Sequence, residues 1–139
     1  MVVKKLKKKL KRENNTKRLK KELDRVFSIW IRKRDSDKNG KVICPCCCKM
    51  LDWQEAQNMH YITRSCMALR YEPKNCKAGC LRCNVMLHGN YPAYTEYILR
   101  EHGIEYLNWL LKMKNEIKQW TPDELKEMIA FYKEKLSTL

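Results

Sequence analysis

The stretch that decides the fold runs from residue 44 to residue 88 and reads CPCCCKMLDWQEAQNMHYITRSCMALRYEPKNCKAGCLRCNVMLH. It contains two Cys-x2-Cys pairs, formed by Cys44 with Cys47 and by Cys80 with Cys83. A Cys-x2-Cys turn brings two sulfur atoms to one side of a tight loop, and two such turns complete the tetrahedron that Zn²⁺ prefers. The spacing therefore predicts one structural zinc ion bound by these four cysteines.

The remaining cysteines leave some alternatives open. Within the first pair, Cys46 and Cys48 offer other registers for the ligands. Cys66 and Cys76 have no partner at ligand spacing, and we expect them to be ordinary buried thiols. A disulfide framework is the alternative for all the cysteines, but the sequence shows no secretory signal, and thiols in the cytosol stay reduced.

The charge of the chain narrows the class of partner. In 139 residues, 30 Lys and Arg stand against 16 Asp and Glu, which gives a formal net charge of +14. A surface this basic suits nucleic acid or an anionic membrane. No apolar run approaches the ~20 residues of a membrane-spanning helix, so we expect DNA as partner, no membrane, and a cytoplasmic location, in the host cell if the chain is phage-encoded.

The charge pattern and apolar periodicity predict the domain organisation. Residues 1–18 form a basic arm, either disordered or a helix ordered by a partner. Residues 19–139 form a single zinc-stabilised domain with helical flanks. Apolar residues at helical spacing place those flanks at 16–34, 104–118 and 122–136.

The middle of the chain lacks a long helical period. We expect strands within 55–62 and 70–78, joined by a loop, and a helix beginning near Leu81. Pro92 suits the first turn of a further helix, and Gly103 suits its end. This order of elements predicts an α+β fold.

Three polar side chains near the cysteines suggest catalysis. Asn84 and His88 lie four residues apart and would share one face of the predicted helix, where an amide oxygen and an imidazole could bind a divalent metal such as Mg²⁺ or Mn²⁺. His60, on the first predicted strand, could act as general base for hydrolysis of a phosphodiester. The alternatives are a packing or surface role for each histidine and a helix cap for Asn84.

The joint spacing His60-x14-Asn75-x8-Asn84, with a Cys-x2-Cys pair directly before Asn84, resembles the ββα-metal motif of HNH (His-Me finger) nucleases that have an endonuclease VII-like zinc frame. Over residues 19–135 the chain is similar to the phage NinG/Rap recombination proteins. The segments that carry this second resemblance are 27–35, 60–64, 68–71, 80–84 and 87–90.

The resemblance implies a zinc-bound ββα-metal core flanked by N- and C-terminal helices. It implies that His60 is the general base, Asn84 and His88 are ligands of the catalytic metal, and Asn75 braces the loop that orients His60. The implied function is a structure-specific DNA endonuclease acting on branched recombination intermediates such as Holliday junctions and D-loops. One departure is Met59, which stands where many HNH nucleases have an Asp or His ligand, and it keeps a non-catalytic zinc module that binds branched or single-stranded DNA as the alternative.

Basic side chains around the proposed centre are candidates for DNA contact. Arg64, Arg70 and Arg82 flank it and could clamp phosphates, and Lys17 and Arg18 belong to the basic N-terminal stretch. No element resembles a helix that reads base edges, so we expect recognition of DNA shape. Symmetric cutting of a four-way junction needs two active sites, which a homodimer would supply.

Overall fold

The computed structural model describes residues 1–139 as an α+β chain. Contacts divide it into one unit of residues 1–27 with 120–139 and a second unit of residues 28–119. The elements, in chain order, are α1 (Val2–Arg34), β1 (Lys41–Ile43), β2 (Met50–Asp52), β3 (Gln57–His60), a 3₁₀ turn (Pro73–Asn75), β4 (Cys76–Gly79), a π-helical turn (Arg82–Met86), α2 (Tyr91–Met113) and α3 (Pro122–Ser137).

The first unit pairs the N-terminal part of α1 with α3. The apolar positions that recur along α1, from Leu19 to Phe27, are buried, as is Tyr132 on α3. The rings of Phe27 and Tyr132 meet edge to face with centroids 5.0 Å apart. Thr121 caps α3, because its side chain accepts from the Glu124 amide while the Glu124 carboxylate accepts from the Thr121 amide.

The predicted boundary at residue 18 differs from the structure. The helix predicted for 16–34 begins at Val2 and continues through the whole of the basic arm without a break. Residues 2–13 are rich in Lys, Leu and Arg, which favour helix, and an Asn or Thr inside a helix costs only about 0.5 kcal/mol. Local propensity therefore suffices to extend α1 across the Asn14–Thr16 interruption.

The second unit is built on two antiparallel strand pairs. β1 pairs with β2, and β3 pairs with β4 so that Gln57 lies opposite Gly79 and His60 opposite Cys76. Met59 is fully buried, and its side chain packs directly on Gly79, where a Cβ atom would collide with the Met59 sulfur. The strands predicted at 55–62 and 70–78 are present but shorter, because Pro73 opens a 3₁₀ turn that delays the second strand to Cys76.

The segment after β4 corrects another prediction. In place of a regular helix from Leu81, the chain makes a single π-helical turn in which the Leu87 amide donates to the Arg82 carbonyl oxygen at 2.8 Å. His88, Gly89 and Asn90 then all have positive φ angles. The prediction that Asn84 and His88 share a helix face is therefore wrong, since His88 lies beyond the end of the turn.

Two helical segments complete this unit and are joined at Gly103, whose φ of 84° and ψ of 168° break α2. The prediction that a helix stops at Gly103 is confirmed, whereas the segment predicted for 104–118 ends at Met113. Leu107 and Leu110 of α2 pack into the buried cluster that also contains Met59, Leu69 and the strand residues. None of the helices is both long and apolar enough to cross a membrane.

Candidate functional site

Four cysteines form the centre of the site. Cys44 follows β1 and Cys80 follows β4, and the two turns carry Cys47 and Cys83. The four sulfur atoms all lie within 4.8 Å of one another, and the Cys47 and Cys80 sulfurs are 3.6 Å apart. Tetrahedral coordination with Zn–S bonds of about 2.3 Å requires sulfurs about 3.8 Å apart, so the cluster could hold a structural metal ion such as zinc.

Hydrogen bonds orient these cysteines, and burial changes the pKa of their thiols. The Cys83 amide donates to the Cys80 sulfur at 3.4 Å, and the Asn90 amide group donates to the Cys83 sulfur at 3.6 Å. Burial raises the pKa of Cys80 and raises that of Cys83 to about 12, while a hydrogen bond from Cys46 lowers the pKa of Cys44. A metal ion therefore displaces protons from the buried thiols when it binds.

Of the registers left open by the sequence, Cys44 with Cys47 is the one whose sulfurs lie together with those of Cys80 and Cys83. The Cys46 sulfur instead approaches the Gly89 carbonyl oxygen at 3.9 Å, and Cys48 is exposed with a φ of 63°. Cys76 is buried, as expected, and burial raises its pKa. Cys66 is only half-buried, with its sulfur 3.6 Å from the Lys114 carbonyl oxygen.

His60 lies at the end of β3, close to the chain segment that follows it. Its Nε2 is 2.9 Å from the Arg70 carbonyl oxygen. A carbonyl oxygen can only accept, so Nε2 carries the proton of the neutral ring and Nδ1 carries the lone pair. Nδ1 is therefore the ring atom that could take a proton from water.

Asn75 organises that segment from within. Its side chain is fully buried, and its Oδ1 accepts from the Ile62 amide at 2.8 Å. Its Nδ2 donates to the carbonyl oxygens of Ile62 at 3.0 Å and of Leu69 at 3.1 Å. Asn75 thus connects Ile62 at the beginning of the loop to Leu69 at its end. The residue after Leu69 is Arg70, whose carbonyl oxygen contacts His60.

Asn84 and His88 have separate surroundings. The Asn84 amide nitrogen donates to Gln57 Oε1 at 2.8 Å, which leaves the Asn84 carbonyl oxygen as the atom able to bind a cation. His88 is exposed, with a φ of 50°. Side chains alternate along β3, so His60 lies on the strand face opposite Gln57 and Met59. Since Gln57 is the partner of Asn84, the structure does not place His60 and Asn84 on one face of β3.

The basic candidates are spread over both units. Arg64 and Arg82 are exposed, whereas Arg70 is half-buried and donates to the Arg64 carbonyl oxygen at 3.1 Å. Lys17 and Arg18 are exposed on α1, in the first unit.

The sequence reasoning missed two contributions to the site. One is Gln57, the partner of Asn84. The other is the Arg34–Asp35 pair at the end of α1: Arg34 donates to the carbonyl oxygens of Pro73 at 2.9 Å and Cys76 at 2.8 Å, and the Ala78 amide donates to Asp35 at 2.8 Å. Their local sequence signal is an adjacent basic and acidic residue at a helix end, which is common on protein surfaces, although both residues lie in segment 27–35, which carries the family resemblance.

The fold and the cysteine cluster define an α+β protein with two Cys-x2-Cys turns that together could hold a structural metal ion. Comparison with known proteins identifies the family of the chain. A family model described as the bacteriophage lambda NinG protein matches residues 2–139, and the chain belongs to this family.

The individual relatives have low sequence identity to this chain and are longer than it is. The chain is 25% identical over 119 residues to protein ninG of Salmonella phage P22, a match that covers 86% of this chain and 56% of the relative. It is equally similar to protein ninG of Escherichia phage 933W, with 86% of this chain and 57% of the relative covered. The chain therefore spans about half the length of these relatives. No solved structure matches it.

Proposed function

We propose that this protein is a structure-specific DNA endonuclease of the HNH type, which hydrolyses phosphodiesters in branched recombination intermediates with the help of a divalent metal ion. The observation that carries the proposal is the hydrogen bond from His60 Nε2 to the Arg70 carbonyl oxygen. It orients the ring and favours the tautomer with the proton on Nε2, in which Nδ1 is the basic atom that a general base needs.

The cysteine cluster supports this assignment by fixing the position of Asn84. Cys80 and Cys83 precede Asn84 directly, so a metal ion bound by the cluster would make the π-helical turn rigid. Gln57 holds the Asn84 amide nitrogen, so the carbonyl oxygen can face a cation. His88 is the second candidate ligand, and Mg²⁺ commonly keeps several waters and uses only one or two protein ligands.

In this mechanism His60 removes a proton from the attacking water, and the arginines Arg64, Arg70 and Arg82 bind the phosphates on either side. Asn84 and His88 would hold Mg²⁺ or Mn²⁺, which would supply Lewis-acid stabilisation of the leaving oxygen. The net charge of +14 supports DNA as the substrate, and family membership supports a role in phage recombination in the host cytoplasm. Two copies acting together would cut a four-way junction symmetrically.

A second function is favoured by one observation. Met59 is fully buried and occupies the position next to the proposed base, where an additional oxygen or nitrogen ligand would strengthen the metal site. A zinc module that binds branched or single-stranded DNA without cutting it needs no such ligand.

Cleavage of a labelled four-way junction in Mg²⁺ or Mn²⁺ separates the two functions. We expect the wild-type protein to cut and His60→Ala to bind the junction with unchanged affinity but not cut it. Gln54→Ala, at an exposed polar position in the same unit, is the matched control and should cut normally. Equal cutting by His60→Ala would remove His60 from the mechanism, and binding without cutting by the wild-type protein would favour the second function.

A further inference from the structure

A row of aromatic rings follows one side of α2. The ring of Tyr97 meets His102 with centroids 6.3 Å apart, and His102 meets Tyr106 at 5.3 Å. Tyr106 and Trp109 are stacked, with centroids 5.5 Å apart and an interplanar angle of 28°. These four side chains form what we name the ring row.

The break at Gly103 makes this row continuous. In an unbroken helix with 100° between residues, Tyr97 and Tyr106 would lie half a turn apart and point in opposite directions. The non-helical backbone of Gly103 changes the direction of the second helical segment relative to the first. The rings on either side of the break therefore follow each other through His102.

Positive charges accompany the ring row. The Lys74 ammonium lies 5.6 Å from the centre of the Tyr106 ring. The Lys77 ammonium and the Arg100 guanidinium lie 5.8 Å and 5.7 Å from the centre of the Tyr97 ring. Lys74 and Arg100 are exposed, and Arg100 also lies 3.5 Å from the Glu101 carboxylate. Lys77 is half-buried and lies 3.4 Å from the Asp35 carboxylate.

The ring row does not act only as core packing. Leu107 and Leu110 are the fully buried residues of this part of α2. Tyr97 and Tyr106 are half-buried and pack one side against the core, and Trp109 is 40% exposed. The Tyr106 hydroxyl donates to Glu72 at 3.2 Å, which holds the ring in place. Burial and the neighbouring Lys74 lower the pKa of His102, so its imidazole is uncharged at neutral pH.

Aromatic rings that are at least partly accessible and that lie beside cations are the arrangement by which proteins bind unpaired nucleic acid, since bases stack on the rings and cations contact phosphates. We propose that the ring row, with Lys74, Lys77 and Arg100, binds single-stranded DNA, such as the unpaired strand at a branch point. The assignment of DNA as ligand rests on the proposed function, but strand binding can be measured without any cleavage.

The test is the affinity of the full chain, by fluorescence anisotropy, for labelled oligo(dT) of about 15 nucleotides and for a blunt duplex. Trp109→Ala should weaken oligo(dT) binding about 5–150-fold and leave duplex binding unchanged. Trp109→Phe keeps a ring and should retain most of the affinity. The matched control is Ile104→Ala, which removes an exposed apolar side chain from the same helix and should change neither affinity.

A second measurement covers the case in which Trp109→Ala fails to fold. Unlabelled oligo(dT) should quench the tryptophan fluorescence of the wild-type protein, and Trp109→Phe should lose that quenching while still binding. Unchanged quenching in Trp109→Phe would overturn the proposal. So would equal weakening of duplex and oligo(dT) binding by Trp109→Ala, or an Ile104→Ala effect as large as that of Trp109→Ala.

The outcomes also separate this proposal from the endonuclease proposal. A protein that binds oligo(dT) through Trp109 but cuts no junction supports the ring row and refutes the nuclease. A protein that cuts junctions while Trp109→Ala keeps full affinity for oligo(dT) supports the nuclease and refutes the ring row.

Discussion

Replacing Asn75 by Ala should destabilise the second unit by about 3–5 kcal/mol. Asn75 makes three hydrogen bonds to the backbone of Ile62 and Leu69 from a fully buried position. Each bond contributes about 1 kcal/mol, and a backbone group that loses its partner, such as the Ile62 amide, costs about 1–2 kcal/mol more. The whole stability of a small domain is about 5–15 kcal/mol, so this loss is a large fraction of it.

The measurement is urea unfolding of the zinc-loaded protein followed by circular dichroism, with the slope m checked for constancy. Asn58→Ala is the matched control, because it removes a neighbouring Asn whose buried Oδ1 has no hydrogen-bond partner. Its cost should be about 1 kcal/mol or less. If Asn58→Ala proves as costly as Asn75→Ala, the role assigned to the Asn75 hydrogen bonds is wrong.

Two further predictions concern the metal cluster and the break in α2. Removing zinc with a chelator, or replacing Cys83 by Ala, should unfold residues 28–119, and metal analysis should find about one zinc per wild-type chain. A fully folded metal-free protein would contradict the prediction that residues 28–119 need zinc to fold. Zinc affinity should also fall as the pH decreases, because protons compete with zinc for the sulfur atoms of the buried Cys80 and Cys83. Gly103→Ala should lower the free energy of unfolding by about 1–3 kcal/mol, measured by thermal unfolding, because a φ of 84° with a ψ of 168° is accessible essentially only to glycine. No atom lies within 4 Å of the new Cβ, so the cost comes from the backbone and not from a steric clash. An Ala variant as stable as the wild type would mean that the break is not required.

The metal cluster could be predicted from the sequence because its geometry is largely local. A Cys-x2-Cys turn fixes two sulfurs by itself, so only the meeting of two turns depends on the fold, and that meeting is confirmed. The same holds for α3, whose start is encoded by the capping box at Thr121. The register of Cys44 with Cys47 needed coordinates, because Cys46 and Cys48 lie on the same turn.

The surroundings of Asn84 could not be predicted because they depend on backbone geometry that side-chain spacing does not report. A spacing of four residues indicates a shared helix face only if the helix is regular. Here Asn84 lies inside a π-helical turn, and His88 lies beyond its end as the first of three consecutive residues with positive φ. The β1–β2 pair was missed for a similar reason. Its strands have three residues each, which is too short for an alternating pattern to be recognised.

The pairing of residues 1–27 with residues 120–139 has a consequence for synthesis of the protein on the ribosome. The apolar residues of α1 are synthesised first, and the ribosome must then synthesise all of residues 28–119 before it reaches α3, which covers them. At about 5–20 residues per second this interval lasts about 5–20 s. During that time the strip from Leu19 to Phe27 is open to chaperones and proteases, so this unit must fold late, after its partner helix emerges.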